Sequence, residues 1–166
     1  MTHTTEHRTP AAQPTRRAVL SGFAALAAVG ATDLWANTPK RPMVQVWKDP
    51  NCGCCKDWIA HLEQNGFEVQ VFDKGNNAAR ARLGMPQQFA SCHTGVVQGY
   101  VIEGHVPAAD IRRLLADKPK ALGLAVPGMP VGSPGMDGPE YGGRRDPYKV
   151  LLVQSDGRSQ VFKAYT

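Results

Sequence analysis

Asp49-Pro50-Asn51-Cys52-Gly53-Cys54-Cys55-Lys56-Asp57-Trp58 places three of the chain's four cysteines within four residues. Immediately upstream, Met43-Val44-Gln45-Val46-Trp47 alternates apolar and polar residues, the period of a strand. Downstream, Cys55, Trp58, Ile59 and Leu62 recur at i, i+3, i+4 and i+7, the period of one buried helical face. The cysteines therefore occupy a turn that leaves a strand and opens a helix. Unpaired N–H groups and the helix dipole favour negative charge there, so a thiol in that position ionises more readily. A thiolate is both the nucleophile of disulfide exchange and a ligand for soft metals, and both chemistries compete for this turn.

The rest of the chain extends the same pattern. Asn65-Gly66 is a helix stop, because glycine adopts left-handed geometry without steric cost. Residues 67–72 alternate again as a second strand. Residues 77–83 read as a short helix closed by Gly84, and residues 95–102 as a third strand. Pro107 and Asp110 then suit a helix N-terminus, with Ile111, Leu114 and Leu115 as its buried stripe. Residues 126–136 form a Gly/Pro-rich loop carrying Met129 and Met136, and a loop of this length inside a compact domain is often functional. Residues 148–154 and 159–165 alternate around Ser155-Asp156-Gly157-Arg158, which predicts a terminal hairpin. Strand, cysteine turn, helix, strand, helix, strand, helix is the order of a thioredoxin-like three-layer α/β domain. Such domains place their chemistry at the carboxyl end of the first strand.

The first 36 residues stand outside that fold. Arg16-Arg17 precedes an apolar run of small residues from 18 to 31, and Ala36 suits a signal-peptidase cut. This is an export signal, with residues 37–166 as the mature domain. The paired arginines resemble a twin-arginine signal, although the lysine usual after the apolar pair is missing, which leaves Sec export as the alternative. The apolar run is too short and too rich in Ala and Gly to serve as a membrane anchor, so no anchor is expected after cleavage. The expected location is the periplasm. His3 and His7 leave with this leader.

A net charge of +5 without a Lys/Arg run interleaved with aromatics gives no reason to expect nucleic-acid binding. Cysteine chemistry is left. Cys52 and Cys55 form a Cys-x-x-Cys pair and are the catalytic candidates if the chain is a thiol-disulfide or metal-reducing oxidoreductase. Cys54 complicates that reading, since a third thiol can scramble a 52–55 disulfide. Where thioredoxin-like domains usually carry a proline before the third strand, this chain has Ser91-Cys92-His93-Thr94. A fourth sulfur and an imidazole are thereby brought toward the first three. Cys52, Cys54, Cys55, Cys92 and His93 make a sulfur-rich donor set suited to Cu(I), zinc or an iron–sulfur cluster. Zinc needs only four ligands, and thioether sulfur favours Cu(I), so Met129 or Met136 tilts the choice toward copper. His93 reads equally as ligand or as loop hydrogen-bonding residue, and His105 as ligand or helix cap. A structural disulfide, a zinc-binding interaction domain and plain packing of the methionines are the alternatives. His61, beside Leu62 on the first helix, reads as solvent-facing, and Trp47 and Trp58 as core.

Lys48-Asp49-Pro50-Asn51-Cys52-Gly53-Cys54-Cys55, Ser91-Cys92-His93-Thr94, the stretch 99–107 through Glu103-Gly104-His105, and Gly123-Leu124-Ala125-Val126-Pro127-Gly128-Met129-Pro130 together resemble the CopG-type family of small exported copper-associated proteins. The resemblance covers roughly residues 42–152. It implies a thioredoxin-like domain whose Cys-x-Cys-Cys turn helps hold a copper cluster, with a role in copper resistance, homeostasis or copper redox handling. By motif, Cys52, Cys54 and Cys55 match as bridging thiolate ligands and Cys92 as the loop cysteine beside them. Met129 and His105 match as further donors. The implied cofactor is copper as Cu(I), and the implied partners are copper ions and other periplasmic copper-handling proteins.

Overall fold

The computed structural model of the protein describes residues 40–166, so the export signal and the boundary at 36/37 lie outside the described residues. Ten elements follow in order: β1 (Met43–Lys48), α1 (Gly53–Gln64), β2 (Glu68–Phe72), α2 (Asn77–Arg82), β3 (His93–Val97), β4 (Tyr100–Glu103), α3 (Ala108–Asp117), β5 (Gly123–Ala125), β6 (Tyr148–Val153) and β7 (Ser159–Tyr165). The strands form one mixed sheet in the order β2-β1-β3-β4-β5-β6-β7. β1 runs parallel to β2 and β4 parallel to β5, and the remaining pairs are antiparallel. The expected mixed α/β class is the observed one.

Strand alternation divides the core between the two faces of this sheet. Ile102, Leu124 and Leu152 join Val44, Val46, Trp58, Leu62, Ile111 and Leu114 in the main cluster, which carries α1 and α3. Their chain neighbours Val101, Ala125 and Val153 point the other way, into a smaller cluster with Met85 and Phe89. The stripe predicted on α1 is the buried one: Cys55, Trp58, Ile59 and Leu62. It ends at Asn65, and Gly66 takes a φ of 78°.

Three expectations are corrected. The single strand at 95–102 is a hairpin of β3 and β4, turning through Gln98 and Gly99 at φ 47° and 87°. Two left-handed residues in succession match the right-handed twist of a two-residue hairpin, and Gln-Gly is a weak signal for it beside the apolar residues that flank it. β5 lies just before the 126–136 loop, where no strand is expected; three buried residues are too short a run to show a period. His61 is half-buried rather than solvent-facing, because its Nε2 accepts the Ala108 N–H at 3.1 Å and so satisfies an otherwise unpaired donor at the start of α3.

Candidate metal centre

β1 delivers the chain to the start of α1, where Cys52 is the cap residue in extended geometry and Cys54 and Cys55 lie in the first turn. No acidic side chain occupies that turn, so the positive end of the helix acts on sulfur alone. Cys52 and Cys55 are joined as a disulfide, and Cys54 and Cys92 are free thiols. The Sγ of Cys54 is 3.6 Å from that of Cys52 and 3.9 Å from that of Cys92. Cys55 Sγ lies 3.6 Å from the Cys92 carbonyl oxygen. All four sulfurs fall within 4.8 Å of one another.

A second donor set shares one of those sulfurs. Cys92 Sγ, a nitrogen of His93 and a nitrogen of His105 also lie within 4.8 Å of one another. His93 Nδ1 is 3.3 Å and His105 Nε2 3.1 Å from Cys92 Sγ. The far nitrogen of each ring faces a backbone carbonyl: His93 Nε2 the oxygen of Gly104 at 3.0 Å, His105 Nδ1 that of Pro134 at 2.9 Å. A carbonyl only accepts, so those nitrogens carry the protons and both lone pairs aim at the Cys92 sulfur. Metal-binding histidines are oriented by this kind of partner. Burial holds the His93 imidazole well below its usual pKa, with His105 and Lys48 adding to the effect. Burial also lowers that of His105, against the pull of the Pro134 carbonyl and Asp137. Both rings are thus neutral near pH 7, as ligation requires. The Cys92 thiol is pushed up to about 12 by burial and by neighbouring Cys54.

The 126–136 loop closes over these groups. His105 reaches Pro134, and the backbone of Gly135 lies directly on α1. A Cβ at Gly135 would stand 2.6 Å from the Cys54 carbonyl oxygen and 2.7 Å from the Trp58 nitrogen. Gly128 is bonded to the Ala90 carbonyl and accepts the Ser91 hydroxyl, one residue before Cys92. Its neighbour Met129 is half exposed. Met136 is buried, and its sulfur accepts the Tyr141 hydroxyl at 3.3 Å. Trp58, fully buried, packs against His93 with ring centres 4.2 Å apart and the planes tilted by 33°, and donates to the Val106 carbonyl at 2.9 Å.

Sequence reasoning brings Cys52, Cys54, Cys55, Cys92, His93 and His105 to one place, and there the structure puts them. It misses the polar groups beneath Cys92. Arg80, Glu103, Asn76 and Thr94 are buried and hydrogen-bonded to one another and to Ser91. Glu103 offers one signal, an acid directly after the apolar run Tyr100-Val101-Ile102. Arg80 offers none.

A mixed α/β domain presenting cysteines and histidines in two joined donor sets is a candidate metal-binding protein. The chain is similar to a solved structure named "Copper resistance protein copG- Form 2", with 48% identity, 76% of this chain and 99% of that one covered, and a TM-score of 0.70. It is likewise similar to "Copper resistance protein copG- Form 1", at 49% identity over 74% of this chain and 96% of that one, with a TM-score of 0.68. The chain belongs to the CopG copper resistance family. A family model described as "Protein of unknown function, DUF411" matches residues 89–136. No curated protein matches.

Proposed function

We propose that this protein is an exported, periplasmic copper-binding protein that holds Cu(I) on Cys52, Cys54, Cys55 and Cys92 as a thiolate-bridged cluster, serving copper resistance or copper redox handling. His105, His93 and Met129 are the further donors. The observation that carries this reading is the convergence of four sulfurs within 4.8 Å, with two oriented imidazoles on the far side of Cys92. Four cysteines alone would satisfy one tetrahedral zinc. Sulfur shared between two donor sets favours more than one ion, and thiolates favour Cu(I).

Two of the four sulfurs are tied up in the Cys52–Cys55 bond. An external dithiol that reduces this bond leaves two thiols on this chain and becomes a disulfide itself. Loss of the two protons then supplies ligands. Disulfide and cluster are thus alternative states of the same atoms. That alternation supports a second reading, a thiol-disulfide or metal-reducing oxidoreductase using Cys52 and Cys55, for which the observed disulfide is the specific support. The strand order β2-β1-β3-β4, with α1 following β1, supports the thioredoxin-like description of the domain. The leader at 1–36 supports export, and no helix among the described residues is long and apolar enough to cross a membrane.

The test is an anaerobic Cu(I) titration of the reduced protein against a competing chelator, alongside Cys54→Ser. The copper reading predicts tight binding of more than one ion per chain, lost in the variant. Weak binding that the variant leaves unchanged would overturn it. Disulfide exchange lost in Cys52→Ser but intact in Cys54→Ser would then establish the oxidoreductase reading.

A further inference from the structure

We propose that Glu103 is the positioning residue of Cys92, its carboxylate fixing the peptide that carries the sulfur shared by both donor sets. The inference rests on the copper reading for its consequence and on hydrogen bonding for its geometry. Glu103 is the last residue of β4 and is fully buried. Its Oε1 accepts the Ser91 backbone N–H at 2.8 Å and faces Arg80 at 3.4 Å, and its Oε2 accepts the Thr94 hydroxyl at 2.6 Å. The Ser91 carbonyl in turn accepts Asn76 Nδ2 at 3.0 Å and Arg80 at 3.5 Å. Asn76 also reaches the Thr94 hydroxyl oxygen at 3.3 Å.

Both backbone groups of the residue before Cys92, and the side chain two residues after it, are therefore gripped by one buried assembly from α2 and β4. Cys92 is the residue left between the grips, and its sulfur makes the contacts to Cys54, His93 and His105. Three donors converge on the Glu103 carboxyl group, and only a carboxylate presents acceptors on both oxygens. A glutamine turning its NH2 toward Ser91 and Arg80 would set donor against donor; turning it toward Thr94 would force that hydroxyl to accept instead of donate, and either way the charge facing Arg80 is lost. A buried ion pair is a weak source of stability, since an apolar pair of similar volume does as well or better. Its value here is the fixed position of the Ser91–Thr94 segment.

The experiment uses the full chain, reduced and anaerobic, as wild type, Glu103→Gln, Cys92→Ser and the double variant. Cu(I) affinity is read by chelator competition and folding by urea denaturation. Loss of a residue that orients a metal ligand costs about 10- to 100-fold in affinity, which is the expected effect of Glu103→Gln. In the Cys92→Ser background the same substitution should change affinity less than about twofold, because its effect acts through the missing sulfur. Equal losses in both backgrounds, or none in either, would overturn the proposal. A metal-free readout runs alongside: the alkylation rate of the Cys92 thiol, followed by mass spectrometry, should change severalfold in Glu103→Gln and stay unchanged if the proposal is wrong. Thr94→Val, which removes one donor and leaves the ion pair, should shift the same rate in the same direction by less, and decides the matter if Glu103→Gln does not fold. If Cys92→Ser binds copper like wild type, the copper reading fails on its own and the alkylation rate still judges Glu103.

Discussion

The two halves of the donor cluster are built differently. Cys52, Cys54 and Cys55 come from one turn at a helix N-terminus, Cys52 and Cys54 partly open to solvent and Cys55 buried, with Cys52 and Cys55 oxidised to a disulfide. Cys92, His93 and His105 come from the entry and exit of a hairpin, with both rings fully buried and each oriented by a carbonyl, and the peptide before the shared sulfur held by a buried ion pair. The first half can change redox state within four residues of chain. The second holds no disulfide, and its rings and the Ser91 peptide are fixed by hydrogen bonds of their own. Cys92 belongs to both, so it is the atom at which the two halves meet.

The comparison breaks most completely at that sulfur. Cys92→Ser should lower Cu(I) affinity by more than the roughly 10- to 100-fold that a supporting residue costs, and by more than any single histidine variant. A loss no larger than that of His105→Gln would mean that the halves are not joined there. Gly104, one residue before His105, has a φ of 71°. A Cβ on it would lie 2.5 Å from both the Ser91 hydroxyl and the Val126 carbonyl oxygen. Gly104→Ala should therefore cost about 2–3 kcal/mol in urea unfolding, from overpacking and left-handed strain together. A cost under about 1 kcal/mol would show that the loop gives way freely. His105→Gln should weaken copper binding by about tenfold, read by the same competition, if His105 is a ligand rather than only the partner of Pro134.

The smallest effect concerns pH. Burial raises the Glu103 carboxyl to about 7, opposed by Thr94, Ser91 and Arg80. A folded pKa above the unfolded one makes a contribution to stability that is complete below the unfolded value of 4.5 and is lost as pH rises through 7. The buried histidines work the opposite way, losing stability as pH falls below 6.5. The stability of wild type minus that of Glu103→Gln isolates the carboxyl: this difference should fall between pH 4.5 and 7, and a flat difference would contradict the assignment.

What could be read in the sequence follows the same division. The turn was legible because its signals are local: alternation before it, a 3.6-residue period after it, and cysteines between. The terminal hairpin was legible for the same reason. The β3–β4 turn was not, since Gln98 carries no turn signal and the flanking residues are continuously apolar. His93 and His105 were named as donors, but the register that sets Thr94 opposite Glu103, and so folds both rings back on Cys92, is a long-range fact. Arg80 in a six-residue helix and Asn76 before it look like surface residues until Glu103 of β4 reaches Arg80 and Ser91 and Thr94 reach Asn76. His61 misled because a polar residue beside a buried stripe ordinarily faces water, and the helix start it caps is forty-seven residues away.

The central claim is that disulfide and metal compete for the sulfurs of Cys52 and Cys55. It is tested most directly by anaerobic Cu(I) titration of two preparations of the same chain, one with the disulfide intact and one reduced, each followed by mass-spectrometric mapping of the cysteines. The account predicts that the reduced chain binds more copper per molecule and more tightly, and that loaded protein resists re-formation of the Cys52–Cys55 bond. Equal stoichiometry and affinity in the two preparations, with the disulfide still present in the loaded protein, would contradict it.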